Sequence, residues 1–162
     1  MTDTSRIPAL GPRGEGWVAL QFVLLGAVFV SGLIARIELG APASTVALLL
    51  GAVLIAGGIV LAFRGARDLG RSLSPMPRPT AEAALIEHGV YRLIRHPIYT
   101  GLLLASAGWS VATTSWLALL CTGLLALVLD LKSRREEAWL RERFAGYDAY
   151  ATRTRRFVPG LY

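Results

Sequence analysis

At 162 residues, the chain has room for one domain. It is 54% hydrophobic and only 17% charged, and its charges lie in blocks between apolar runs, which excludes an ordinary soluble domain. The net charge of +6 does not indicate a nucleic-acid partner, because the basic residues flank apolar runs and a membrane surface suits them better.

Four apolar runs predict transmembrane helices, at about 17–35, 44–63, 98–113 and 115–131. The first two approach the ~20 residues that cross a ~30 Å hydrocarbon core. The last two are about 16 residues each, and the polar break between them favours a helical hairpin over one long helix. The predicted fold class is therefore all-α, a single-domain integral membrane bundle of about four transmembrane helices with cytoplasmic amphipathic segments.

Shorter features between these runs predict local structure. Ser44 or Thr45 is expected to cap the second helix, whose small residues share one face that should pack closely on a neighbour: Ala47, Gly51, Gly58 and Ala62. Thr80 is expected to cap a short helix over residues 81–88 that ends at Gly89.

Residues 1–16 predict a loose tail. The lone Cys121 predicts neither a disulfide nor a thiolate metal site, so no metal is expected. No convincing cleavage site follows the first run, which is expected to be retained.

The distribution of basic residues predicts sidedness. With four spans, sixteen of the seventeen Lys and Arg residues fall on one side of the membrane, and only Arg36 falls on the other. By the positive-inside rule, both termini should be cytoplasmic. The excess of arginine over lysine, with abundant Ala and Gly, is typical of a GC-rich bacterium, so a bacterial plasma membrane is expected. The charged segments 64–95 and 132–162 should meet at one membrane face.

One motif begins at Gly89 and reads GVYRLIRHPIYTG. Pro97 suits the first turn of the third span, where free N–H groups and the helix dipole favour an anionic ligand group. Arg95 and His96 lie at the membrane boundary, and Gly101 permits close approach of a ligand or backbone. The alternative is that the arginines are positive-inside anchors and His96 is an interfacial histidine.

Two further motifs follow the fourth span. In RREEAWLRERF, a helix places Glu137 on the same face as Leu140 and Phe144, so its carboxylate could bind ribose hydroxyls or an ammonium group. The alternative is an exposed Glu137–Arg141 pair. The final cluster of Tyr and Arg residues, which includes Arg153 and Arg156, could grip a phosphate or carboxylate, or could simply touch anionic lipid headgroups.

The strings RLIRHPIYTG, REEAWLRERF and YDAYATRTRRFVP, in this order, resemble the isoprenylcysteine carboxyl methyltransferase family and its phospholipid methyltransferase relatives. The resemblance covers about residues 85–159. It implies S-adenosylmethionine as cofactor, held by cytoplasmic segments without a Rossmann domain. The residues that match the family motifs or lie beside them are then expected to bind the cofactor: Tyr91, Arg95, His96, Pro97, Tyr99, Gly101, Glu136 and Glu137.

The resemblance also implies a lipophilic acceptor that enters from the bilayer, with Arg153 or Arg156 orienting an acidic group. A carboxylate or thiolate acceptor needs no base, whereas an amine would need deprotonation, through Glu137, Tyr91 or water. Two alternatives stay open: a small transporter with Asp130 as its coupling acid, and a non-catalytic membrane scaffold.

Overall fold

The computed structural model describes residues 7–80 and 82–158, whose regular structure is helical apart from one isolated bridge between Ile94 and Arg155. Five α-helices follow in order: α1 (Glu15–Ile34), α2 (Ala43–Leu69), α3 (Pro97–Ala112), α4 (Trp116–Arg143) and α5 (Tyr147–Arg153). Two 3-10 turns, Gly70–Ser72 and Gly89–Arg92, lie between α2 and α3. The predicted all-α bundle is confirmed.

Three of the described helices are long and apolar enough to cross a membrane: α1, α2 with its 3-10 extension, and α4. The sixteen residues of α3 rise about 24 Å, less than a full hydrocarbon core. This helix packs along α2 and forms the predicted hairpin with α4. Outward-facing apolar side chains such as Phe22, Val53 and Phe63 are 62%, 70% and 68% exposed in the absence of lipid. A membrane bundle of about four helices accounts for both facts.

The ends of two helices differ from the prediction. α2 starts at Ala43 without a side-chain cap, because Pro42 occupies the N-cap position and the predicted caps Ser44 and Thr45 fall inside the first turn. It continues past Phe63 to Leu69, and α4 continues past residue 131 to Arg143. Both extensions are charged but contain no proline, so the backbone continues as helix after the apolar stretch has ended.

Small residues let α2 and α3 approach closely. A Cβ added at Gly58 would lie 2.5 Å from the carbonyl oxygen of Gly101, and one at Gly51 would lie 2.5 Å from that of Gly108. Ala62 also borders Gly101. The predicted small-residue face of α2 is thus confirmed at Gly51, Gly58 and Ala62.

Hydrogen bonds outside the helices show which segments share an end of the bundle. At one end, the loop after α1 meets the α3–α4 turn, where the Ile37 N–H donates to the Thr114 carbonyl at 3.1 Å. At the other end, the Arg78 N–H donates to the Arg13 carbonyl at 3.3 Å, joining the segment before α1 to that after α2. The C-terminal segment lies at this second end too, as described below. The basic segments therefore share one end, as predicted, and Arg36 lies at the other.

Candidate active site

The two charged segments meet through a short stretch of parallel backbone pairing. The Arg95 N–H donates to the Arg155 carbonyl at 2.8 Å, and the His96 N–H donates to the Arg156 carbonyl at 3.1 Å. This pairing holds Arg95, His96 and Pro97 (the RHP motif), at the start of α3, against the chain that follows α5. The predicted meeting of the two segments is confirmed.

Glu137 is the buried centre of an ion cluster at this junction. Its side chain is 1% exposed. Its Oε1 accepts from Arg95 Nε and Arg156 Nε at 3.0 Å each, and Oε2 accepts from Arg156 Nη2 at 3.0 Å. His96 Nε2 lies 3.3 Å from Oε1. A buried carboxylate is tolerated here because several donors surround it, and together they tie α4 to the segments on either side.

Arg95 extends this cluster to α5. Its Nη1 donates to the Thr154 carbonyl at 2.6 Å and to the Ala151 carbonyl at 3.0 Å. The hydroxyl of Tyr150 donates to the Tyr91 carbonyl at 2.9 Å, so α5 is also fixed to the 3-10 turn before α3. The C-terminal segment is therefore a structural part of the site.

A cavity of about 370 Å³ lies beside this cluster. Its volume falls in the ~300–1,000 Å³ range of small-molecule sites. Helix α4 contributes one side chain per turn to its wall, namely Lys132, Glu136 and Leu140. Val18 and Phe22 of α1 form another part of the lining.

The polar centre of the cavity is a hydrogen-bonded Tyr99–Glu136 pair. The Tyr99 hydroxyl donates to Glu136 Oε2 at 2.7 Å, and both residues line the cavity. The rings of Tyr99 and His96 stack with their centroids 5.2 Å apart and their planes 2° from parallel. His96 thus connects the Glu137 cluster to the cavity wall. Of the two adjacent acids in α4, Glu136 lines the cavity, whereas Glu137 lies behind the cavity wall.

Three more tyrosines line the cavity, Tyr91, Tyr147 and Tyr150. Tyr147 is 1% exposed, and its hydroxyl has no hydrogen-bond partner among the described residues. Burial raises the pKa of Tyr91 far above its ordinary value, and the negative charge of Glu136 raises it further. Burial likewise raises the pKa of Tyr147. These phenols stay protonated at neutral pH and can act as hydrogen-bond donors.

The segment after α2 forms the remaining wall in a non-helical conformation. The helix predicted over residues 81–88 is wrong for residues 82–88, which have no helical structure, and residue 81 lies outside the described part of the chain. Instead, the Ala84 N–H donates to the Ser72 hydroxyl at 3.2 Å, and the apolar side chains of Leu85 and Ile86 face the cavity. Gly89 begins a 3-10 turn, where the Val90 N–H donates to Asp68 at 2.9 Å. The Ala84–Ser72 hydrogen bond and the contacts of Leu85 and Ile86 with the cavity thus accompany a non-helical path, despite the local capping signal.

Several predicted site residues lie outside the cavity lining. Pro97 begins α3 and borders Gly65, and Gly101 faces Gly58, so both serve the contact between α2 and α3. Glu137 is enclosed by its cluster; the alternative pairing with Arg141 does form at 3.7 Å, but its acid is buried rather than exposed. The cavity is lined instead by the other predicted members: Tyr91, Arg95, His96, Tyr99 and Glu136.

The two arginines expected to orient an acceptor have other partners. Arg156 makes a bidentate contact with Glu137 and lies 3.3 Å from Asp130 Oδ1. The side chain of Arg153 is 64% exposed and pairs with Glu87 at 2.7 Å. Neither lines the cavity. The sequence pattern could not show this, because it does not reveal which acid each arginine meets in the fold.

Asp130, the acid that a transporter would need, is paired at the charged end of the bundle. Its carboxylate accepts from Arg134 Nε at 2.7 Å and from Arg156 Nη1 at 3.3 Å. An acid neutralised at the end of a span does not provide the mid-membrane polar site that transporters use.

Sequence reasoning missed Lys132, the one lysine of the chain. It is 2% exposed, lines the cavity and donates to Gln21 Oε1 of α1 at 2.7 Å. Two signals could have found it. It directly follows an apolar run, and it stands four residues before Glu136, on the same helical face.

Comparison with known proteins identifies the family. Residues 46–146 match the model of the phospholipid methyltransferase family, a region that runs from α2 through α4 and includes Tyr99, Lys132 and Glu136. The chain belongs to the phospholipid methyltransferase family. Gln21 and Arg156 fall outside the matched region, although the structure joins both to it.

Two curated relatives of this phospholipid methyltransferase family member come from rice, Oryza sativa subsp. indica and subsp. japonica. Each is described as a probable protein-S-isoprenylcysteine O-methyltransferase and is 34% identical over 120 residues. The alignment covers 67% of this chain but only 59% of each relative. The family and the apolar helices establish an integral membrane protein. The rice relatives do not support the predicted bacterial origin.

Proposed function

We propose that this protein transfers a methyl group from S-adenosylmethionine to a lipophilic acceptor at the membrane surface. The observation that carries the proposal is the cavity, whose lining contains both the hydrogen-bonded Tyr99–Glu136 pair and apolar side chains of α1. The cavity lies in a chain of the phospholipid methyltransferase family. The phospholipid methyltransferase family and the rice relatives, described as probable protein-S-isoprenylcysteine O-methyltransferases, support methyl transfer to a lipophilic acceptor such as a phospholipid or an isoprenylcysteine.

The cavity residues fit the proposed cofactor. S-adenosylmethionine carries a sulfonium cation, an amino-acid end, ribose hydroxyls and an adenine ring. Glu136 offers a carboxylate to a cation or to hydroxyls. The Tyr147 hydroxyl, which has no partner within residues 7–80 and 82–158, offers a donor to a ring nitrogen or ribose oxygen. The apolar side chains around them, such as Leu85 and Leu140, supply a surface for the adenine ring.

The residues of this chain would position the reactants and exclude water. Tyr99 fixes the Glu136 carboxylate by its hydrogen bond, and stacking on His96 fixes Tyr99. Glu137 acts behind them as a positioning residue, since it holds Arg95 and His96 in place. Orientation of reactants can lower the barrier by several kcal/mol, up to ~7–11 in favourable cases.

The cofactor, when bound, supplies a methyl group on a positively charged sulfur. An acceptor carboxylate or thiolate already holds the lone pair that it needs, so this chain needs no base for such acceptors. Tyr91 is a poor base for an amine, because its raised pKa keeps the phenol protonated.

The acceptor would enter beside α1. Phe22 is 62% exposed on the apolar surface of this helix and also lines the cavity, so the cavity and the lipid-facing surface are continuous there. By the positive-inside rule, this end of the bundle would face the cytoplasm.

Calorimetric titration of the detergent-solubilised protein with S-adenosylhomocysteine tests the cofactor assignment. We expect binding by the wild type, and an affinity at least about tenfold lower for Glu136→Gln, because a hydrogen bond to a charged group contributes ~1.5–3 kcal/mol. Glu142→Gln, an exposed acid on the same helix, is the matched control and should bind normally. Absence of binding by the wild type at millimolar ligand would refute the proposal.

A further inference from the structure

The Lys132 amine is buried with no carboxylate in contact among the described residues, and Glu136, one turn along α4, acts on it electrostatically from beyond 4 Å. Lys132 is 2% exposed, and among the described residues no carboxylate lies within 4 Å of its Nζ atom. Its polar contact is with the neutral amide oxygen of Gln21 at 2.7 Å, and Nζ lies 4.9 Å from the centroid of the Tyr99 ring. Burial of an amine that no acid contacts directly is costly, so an anionic ligand in contact with Nζ would be stabilised.

The position of Lys132 in the cavity indicates which ligand this is. Gln21 belongs to α1, and its neighbour Phe22 forms the part of the wall that continues onto the lipid-facing surface. Along α4, Glu136 lies about 6 Å of helix rise beyond Lys132, and Leu140 lies about 12 Å beyond Lys132. The cation therefore lies at the end of the cavity nearest the apolar stretch of α4 and beside the Tyr99 ring, and the Glu136 carboxylate lies one turn farther along the helix.

We propose that Lys132, held by Gln21, is the subsite that binds an anionic group of the lipophilic acceptor. This inference rests on the proposed function and adds what orients the acceptor, a role that sequence reasoning assigned to Arg153 and Arg156. Those arginines are exposed or engaged with acids, whereas Lys132 lines the cavity.

The geometry places the acceptor, rather than the cofactor, at Lys132. An acceptor that enters beside Phe22 with its apolar chain in the bilayer brings its polar end to Nζ first. From there, its reacting atom points toward Tyr99 and Glu136. The cofactor carboxylate could instead meet Arg95, which lines the cavity outside α1 and α4 and whose Nη2 is not used by its contacts with Glu137, Ala151 and Thr154. A carboxylate acceptor and a lipid phosphate share the charge that Lys132 recognises.

Binding of three ligands with identical twelve-carbon chains tests the subsite. Dodecanoate, dodecyl phosphate and dodecylamine are titrated into the full chain in non-ionic detergent containing S-adenosylhomocysteine, with empty micelles as blank. We expect at least one anion to bind about tenfold or more tighter than the amine. Lys132→Met should abolish this preference, and Lys132→Arg should retain most of it. Tighter binding of dodecanoate would indicate a carboxylate acceptor, and tighter binding of dodecyl phosphate would indicate a phosphate-bearing lipid.

Controls separate the subsite from the cofactor site and from misfolding. Arg143→Met removes an exposed cation from the same helix and should leave the anion preference unchanged. Lys132→Met should bind S-adenosylhomocysteine within about twofold of the wild type, which also shows that it folds. Should Lys132→Met fail to fold, Gln21→Leu replaces it and should reduce the preference.

Equal binding of all three ligands by the wild type would overturn the subsite, as would an anion preference that survives Lys132→Met. A loss of S-adenosylhomocysteine affinity in a folded Lys132→Met protein would assign Lys132 to the cofactor instead. If the wild type binds no S-adenosylhomocysteine, the proposed function fails, but the three titrations without it still decide whether Lys132 selects anions.

Discussion

At the scale of single residues, the adjacent acids Glu136 and Glu137 have different surroundings. Neighbouring positions on an α-helix point about 100° apart, so only one of the two can face the cavity. Glu136 does so, paired with Tyr99, whereas Glu137 is enclosed by Arg95, His96 and Arg156. The double acid is recognisable in the sequence, but only the tertiary contacts show which acid faces a ligand.

We expect Glu137→Gln to lower the stability of the protein. The substitution removes the anion shared by the Arg95 and Arg156 guanidinium groups, which are 11% and 17% exposed, and breaking a fully buried pair in this way costs up to about 3–5 kcal/mol. Thermal unfolding in detergent should show a marked fall in Tm, while Glu142→Gln should unfold as the wild type does. An unchanged Tm for Glu137→Gln would contradict the structural role of the cluster.

Tyr147→Phe should separate ligand binding from stability. The Tyr147 hydroxyl has no partner among the described residues, so its removal should not lower the Tm. The affinity for S-adenosylhomocysteine should fall by a factor of about 2–12, the equivalent of one hydrogen bond of ~0.5–1.5 kcal/mol. Tyr150→Phe is the comparison, because it loses the bond to the Tyr91 carbonyl and should destabilise the protein. Wild-type affinity in Tyr147→Phe would remove Tyr147 from the binding site.

At the scale of helices, the contact between α2 and α3 determines where the RHP motif lies. Pro97 begins α3 beside Gly65, and the close contact continues through Gly58 and Gly101. A residue carried over by resemblance as a cofactor ligand, Gly101, is therefore part of helix packing. Sequence alone could not separate these roles, because close approach to a ligand and to a helix both require a small residue.

Substitution of neighbouring glycines in α2 tests this contact. Gly58→Val places a side chain against the backbone of α3, and overpacking of this kind costs about 1–3 kcal/mol. Gly57→Val is the matched control, because no atom lies within 4 Å of a Cβ at that position. Thermal unfolding in detergent should show a lower Tm for Gly58→Val than for Gly57→Val. Equal values would refute the close packing.

At the scale of the whole molecule, the path of the chain brings its basic segments to one end. The segment before α1, the segment between α2 and α3, and the chain after α4 meet there, and the loop containing Arg36 lies at the opposite end. This arrangement requires an even number of passages along the bundle. The three long helices α1, α2 and α4 supply three passages, and the short α3 supplies the remaining one.

Cysteine labelling in membrane vesicles of known orientation tests the proposed sidedness. In a Cys121→Ala background, Arg71→Cys and Glu142→Cys should react with an impermeant maleimide from the cytoplasmic side. Glu38→Cys should react from the opposite side. All three positions are exposed. Labelling of Glu38→Cys and Glu142→Cys from the same side would contradict the four-span arrangement.

The sequence by itself determined the membrane class, the approximate spans and the division of charge between the two ends. Run length and charge blocks are local properties that the bilayer constrains directly. The resemblance indicated the RHP and Glu-Glu segments. Only the tertiary structure decided that Glu136 and Lys132 face the cavity while Glu137 and Arg156 neutralise each other behind it. These roles depend on contacts between residues 19 to 111 positions apart, and spacing along the chain does not determine such contacts.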